Sequence, residues 1–85
     1  MASYKLLITR SAAKELEGLP LKLRRRVAGR IEALAATPRP PGVEKLSGQE
    51  KYRIRQGDYR VPYAIDDGAQ SVTIVRIGHR RDVYR

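Results

Sequence analysis

Arginines at alternating positions dominate one stretch of this 85-residue sequence and offer a chemistry of their own. In Lys51-Tyr52-Arg53-Ile54-Arg55 an extended backbone places Tyr52 and Ile54 on one face and the three basic residues on the other. Arg60 has the opposite parity to Tyr59 and Val61. Across a hairpin turning at Gln56-Gly57-Asp58 it projects to the side of Arg53 and Arg55. Guanidinium groups on adjacent strands repel one another. Such crowding is tolerated most readily when an anion sits between them. A solvated outer face accounts for any one of these arginines. All of them, with the basic C-terminus added, point to phosphate, which arginine's planar fork suits better than a point charge does.

The chain closes on Gly78-His79-Arg80-Arg81-Asp82-Val83-Tyr84-Arg85, polar and aromatic residues that follow an apolar run and belong at a sheet's rim. Taken singly, His79 is an ordinary surface histidine and Tyr84 a packing residue. With Arg80 they supply what transesterification of RNA needs: a base near the 2′-hydroxyl, cations around the scissile phosphate, and a donor for the leaving oxygen. Tyrosine is a poor base at its reference pKa of about 10. Neighbouring arginines favour the phenolate, so both Tyr84 and His79 stand as candidates for the base. Arg60 and Arg80 are the candidate transition-state stabilisers. Arg53, Arg55, Lys51 and Arg81 are candidate substrate-binding residues.

Composition agrees with an anionic target. Lysine and arginine total 18 against 9 acidic residues, a formal net charge of +9. Such an excess attracts polyanions, although it also serves solubility or an acidic protein partner. Cysteine is absent, which excludes disulfides and thiolate metal sites. One histidine leaves only scattered carboxylates to complete a metal site, so neither metal nor other cofactor is expected. No apolar run approaches the roughly 20 residues of a membrane span, and the N-terminal apolar stretch is too short for a signal peptide. The chain reads as a cytoplasmic, single-domain protein over residues 1–85.

The elements that must position these groups follow from periodicity. Tyr4 to Thr9 reads as a strand, with Leu6 and Ile8 on one face. Ser11 occupies a helix N-cap position, and Gly18-Leu19-Pro20 ends that helix after about two turns. A second helix runs from Leu21 to Ala36, with Leu23, Val27, Ile31 and Leu34 as its buried stripe. The proline-rich segment Thr37 to Gly42 stops it. Strands follow over 51–55, 59–65 and 71–77, the last near-continuously apolar and therefore central. Pro62 predicts an edge position, a bulge or an unpaired orientation of its nitrogen. The expected fold is α+β: a strand, an αα-hairpin and a three-stranded antiparallel meander, with the helices on one face of a four-stranded sheet. The other face is left to carry a site.

The order and spacing of several segments resemble the RelE/ParE toxin superfamily. They are Lys45-Leu46-Ser47-Gly48, Tyr52-Arg53-Ile54-Arg55, Gly57-Asp58-Tyr59-Arg60-Val61-Pro62-Tyr63 and Gly78-His79-Arg80-Arg81-Asp82-Val83-Tyr84. Leu19-Pro20 between the helices and Pro38 after them fit as well. The resemblance implies a microbial RNase fold, metal-independent endoribonuclease activity on mRNA in the ribosomal A site, and inhibition by a cognate antitoxin. It maps the basic pair that contacts substrate to Arg53 and Arg55, and the site arginines to Arg60 and Arg80. The late tyrosine maps to Tyr84. Well-studied RelE proteins carry lysines at the first two positions. Arginine scarcely deprotonates, which moves a base role to Tyr84 or His79. The same fold serves ParE-like toxins that poison DNA gyrase, and a non-enzymatic basic RNA- or protein-binding domain is a further alternative.

Overall fold

A computed structural model describes residues 3–46 and 50–79. Strand β1 (Lys5–Ile8) leads into helix α1 (Arg10–Glu17) and then helix α2 (Leu21–Ala33). Strands β2 (Glu44–Leu46), β3 (Lys51–Gln56), β4 (Tyr59–Asp66), β5 (Ser71–Ile74) and β6 (Gly78–His79) complete the fold. The α+β class and the antiparallel meander are as the sequence predicts. The described sheet is wider than the four strands expected: β1-β5-β4-β3-β2, with β6 pairing β4 beyond the end of β5. β1 pairs in parallel with β5, so β5 lies between β1 and β4 and is central, as the sequence predicts.

One face of the sheet buries Tyr52, Ile54, Val61, Tyr63, Ile65, Val72, Ile74 and Ile77 against Ala12, Val27, Ile31 and Leu34 of the helical side. Removing these apolar groups from water is the main force holding the layers together. Leu23 of the expected stripe packs at the margin of this core. The strand expected over 71–77 stops at Ile74, and two boundaries on the helical side also differ from the sequence reading. Thr9, not Ser11, caps α1: its hydroxyl accepts the Ala12 N–H at 3.1 Å and donates to the Val75 carbonyl at 2.9 Å. That second bond ties the cap to the strand region, which selects Thr9 over an equally good capping residue two places later. Helix α2 ends at Ala33 rather than Ala36. Leu34 and Ala35 bond back only three residues, to Ile31 and Glu32, and the Ala35 carbonyl accepts the Tyr4 N–H at 2.8 Å.

Pro62 lies in the middle of central strand β4, and a bulge accommodates it. Tyr63 pairs with Ile74, and Arg60 pairs with Gly78. Two residues of β4, Val61 and Pro62, therefore face three, Val75, Arg76 and Ile77. The Pro62 carbonyl accepts the Val75 N–H at 2.9 Å, so its donor-less nitrogen also faces this bulged segment. The Ile77 N–H leaves the ladder and donates instead to Oε1 of Glu15 on α1, at 2.8 Å. Arg76 pairs with the same carboxylate at 2.9 Å. Glu15 thus satisfies a donor that would otherwise be orphaned at a part-buried position.

Arg39 organises the far end of the sheet. Its guanidinium donates to Asp67 at 2.8 Å, to Glu50 and to the Tyr52 hydroxyl at 2.9 Å. Tyr4 donates to the same Asp67 at 2.7 Å. Tyr63, buried, donates to the Pro38 carbonyl at 2.6 Å. Burial, and then the neighbouring Tyr52, push the Tyr63 phenol up to about 12. These bonds fasten the proline-rich segment after α2 to β3 and to the β4–β5 turn.

Two predictions follow from these contacts. Replacing Glu15 with Ala strands the Ile77 N–H and should lower unfolding free energy by about 1–3 kcal/mol in urea titration, with Glu15→Gln retaining part of it. The second concerns acid. Hydrogen bonds from Arg39 hold the carboxyls of Glu50 and Asp67 below their ordinary values. Their stabilising contribution is complete above the unfolded carboxylate range near pH 4 and is lost as pH falls through the depressed native values. The melting temperature should therefore hold between pH 7 and 5 and fall below about pH 4, and Arg39→Ala should flatten that fall. Both carboxylates are exposed, so added salt should shrink the effect.

Candidate anion-binding face of the sheet

The face turned away from the helices gathers the predicted cations. Arg55 and Arg60 are direct cross-strand partners, and Arg53 stands opposite Pro62. Lys51 lies opposite Ala64 on the same face. Pro62 and Ala64 are short, so they leave room above the strand for the long basic side chains beside them.

The three arginines are not equivalent. Arg55 and Lys51 are exposed, whereas Arg53 and Arg60 are 9% and 7% exposed. Arg60 uses one terminal nitrogen to bond the carbonyls of Gly57 and Tyr59, at 3.1 and 3.3 Å. Its Nε is buried with no hydrogen-bond partner. Neither Arg55 nor Arg60 makes an ion pair among the described residues. A nearly buried cation with an unused donor, opposed by a second cation, is costly to maintain and favours an incoming anion.

Arg53 is different, and the difference was not foreseen from the sequence. Glu44 on β2 is its cross-strand partner. The Glu44 Oε1 accepts from Arg53 at 2.8 Å through a terminal nitrogen and at 3.2 Å through Nε. The bonds from Arg53, then the charges of Arg60 and Arg55, hold the Glu44 carboxyl below its ordinary value. The expected anion between the arginines is thus present in part, supplied by the chain. A three-residue strand is too short for periodicity to reveal, so alternation could not place Glu44.

His79 does not join the arginines. It pairs with Tyr59, and the two rings meet edge to face at 5.8 Å. Tyr59 has the parity of Val61 and Tyr63, so His79 lies on the opposite side of the sheet from Arg60. The bulge at Val75–Ile77 causes this, because an added residue switches every later side chain to the other face. Arg80, Arg81 and Tyr84 lie outside the described residues. No group of three or more His, Cys, Asp and Glu residues is arranged to hold a metal among the described residues. Nor is any described helix long and apolar enough to cross a membrane.

A meander over two helices is also the architecture of solved RelE toxins, several of them in complex with an antitoxin. Residues 6–84 match the ParE toxin family of type II toxin–antitoxin systems, parDE. The chain is 38% identical to Toxin RelE of Mycobacterium tuberculosis (strain ATCC 25618 / H37Rv), over 96% of this chain and 87% of the relative. It is 31% identical to Toxin RelG of the same organism, over 96% and 97% of the two chains. The fold superposes on the archaeal RelE–RelB complex from Pyrococcus horikoshii OT3 with a TM-score of 0.83 and 30% identity, covering 94% of this chain and 98% of that one. The chain belongs to the RelE/ParE family of type II toxins.

The burial of Arg60 yields a stability prediction. Arg60→Met keeps an unbranched chain in place of the arginine stem and removes an incompletely bonded buried charge. It should raise unfolding free energy, by about 1–3 kcal/mol in urea titration. A lowered unfolding midpoint would mean that the cation itself contributes to folding.

Proposed function

We propose that the chain is a ribosome-dependent, metal-independent endoribonuclease that cleaves mRNA in the A site and is silenced by a cognate antitoxin. The observation that carries the reading is the opposed pair Arg55 and Arg60, one exposed and one nearly buried, with no carboxylate bound to either among the described residues. Similarity to Toxin RelE and Toxin RelG supports it, as does the complex of RelE with RelB in the archaeal structure. A protein of net charge +9 suits both an RNA backbone and an acidic inhibitor segment.

In the reaction, the 2′-hydroxyl oxygen attacks the adjacent phosphorus while the bond from phosphorus to the 5′-oxygen breaks. The products are a 2′,3′-cyclic phosphate and a 5′-hydroxyl. Arg60 and Arg80 stabilise the charge that develops on the non-bridging oxygens. Arg53, Arg55, Lys51 and Arg81 hold the backbone. The base takes the 2′-hydroxyl proton, and a proton must reach the departing 5′-oxygen. With His79 on the opposite side of the sheet from Arg60, the reading assigns the base to Tyr84. A second reading, a ParE-like poison of DNA gyrase, is favoured by the family match over residues 6–84.

Induction of the toxin, with primer extension on cellular mRNA and a parallel gyrase supercoiling assay, separates the two. Cleavage within translated codons and unaffected gyrase support the nuclease; intact mRNA with inhibited gyrase overturns it. On programmed ribosomes, Arg60→Ala and Arg80→Ala should each slow cleavage by about 10²–10³-fold. Tyr84→Phe should slow it severely with the melting transition unchanged. A chelator that leaves the ribosome intact should have no effect. Cutting that depends on added metal and ignores Tyr84→Phe overturns the mechanism.

A further inference from the structure

The pairing of Glu44 with Arg53 has a meaning beyond packing. Arg53 is nearly buried, with a side chain 10% exposed, whereas the Glu44 side chain is 62% exposed. The carboxylate therefore sits on the solvent side of the guanidinium, where an incoming anion would approach. It is engaged by two of the arginine's nitrogens, the geometry an oxyanion of phosphate would adopt. β2 is the outermost strand of the described sheet, so Glu44 can swing into water without disturbing core residues. By contrast, the carboxylates of Glu50 and Asp67 converge on Arg39 and bridge separate segments of the fold. Glu44 bridges only neighbouring strands that are already paired.

From this geometry we infer that Glu44 is an internal stand-in for a phosphodiester: it occupies Arg53 in the free protein and is displaced by the RNA backbone. The inference rests on the RNA-binding part of the proposed function. Its consequence is a threshold on binding. An RNA must outcompete a tethered carboxylate at Arg53, while Arg55 and Arg60 accept phosphate without such competition. RNA sheds its own counterions in proportion to the net positive charge that meets it, and the displaced carboxylate, tethered beside Arg53, cancels that residue's share, so one phosphate contact is hidden from the salt dependence of binding.

The test uses the full chain and a 2′-O-methyl RNA oligonucleotide, whose blocked 2′-oxygen prevents cleavage. Glu44→Gln keeps the size of the side chain and removes the competing charge. It should tighten binding by about three- to tenfold and steepen the plot of log affinity against log salt by about 0.7. Glu32→Gln, on the exposed side of α2, changes net charge equally and serves as the control; it should tighten binding less and leave the slope alone. With Arg53 changed to Ala, the advantage of Glu44→Gln should shrink to that of Glu32→Gln. A melting transition for each variant confirms that it folds. Equal gains for Glu44→Gln and Glu32→Gln with parallel salt slopes overturn the inference, as does weaker binding by folded Glu44→Gln. Tighter binding with the steeper slope, in a protein that cuts no mRNA on ribosomes, upholds the inference and overturns the nuclease reading.

Discussion

Like charges on neighbouring strands push apart, and the architecture around β3 and β4 is what keeps Arg55 and Arg60 opposed. The restraint comes from the reverse side of the same residues' strands. Ile54 and Val61, directly paired and 2% and 0% exposed, are anchored in the apolar layer beneath the arginine pair. Each apolar side chain contributes roughly 1.5–3 kcal/mol when fully buried, so the two together offset a cost of about 1–3 kcal/mol for the crowded Arg60 charge. The core wins, and the cations stay where the pleat puts them. Arg60 then turns onto backbone carbonyls, while Arg53 is held by Glu44.

The helical side and the Arg39 network serve the same end from different directions. Helix α1 reaches the bulged segment through Glu15, and the chain after α2 reaches β3 and the β4–β5 turn through Arg39. The meander is thus fastened at the bulge beside the middle of β4 and again at its far end, although the two fastenings differ in kind. Glu15 answers a backbone donor that the bulge leaves over. Arg39 gathers exposed carboxylates whose value depends on pH and salt.

Most of the fold was legible because β3 and β4 alternate cleanly. Tyr52 and Ile54 against Arg53 and Arg55, and Val61, Tyr63 and Ile65 against Arg60, fix the buried face without reference to any partner strand. The helical stripe of Val27, Ile31 and Leu34 was legible for the same reason at the other period. What escaped lacks a periodic signature. β2 is too short, so Glu44 was invisible as a site residue. The cap fell to Thr9 because a bond to Val75, sixty-six residues later, chose between two good capping side chains. The placement of His79 escaped because a bulge leaves composition untouched and alters only the side on which later residues emerge. The roles of Arg80, Arg81 and Tyr84 belong to residues beyond those the structure describes.

That bulge also bears on how such a sheet can change over evolutionary time. A strand is a two-phase message, and the extra residue among Val75, Arg76 and Ile77 shifts the phase of Gly78 and His79. A single-codon deletion there would restore the original phase and exchange the two sides of the downstream segment in one step, without altering any downstream residue. A single-codon insertion does the reverse. Point substitution could reach the same exchange only by rewriting several positions together. The donor-less Pro62 makes the present phase the easier one to keep, because its missing N–H leaves the opposite strand nothing to lose by looping out. One imino acid in a central strand can therefore hold Gly78 and His79 to their sides of the sheet.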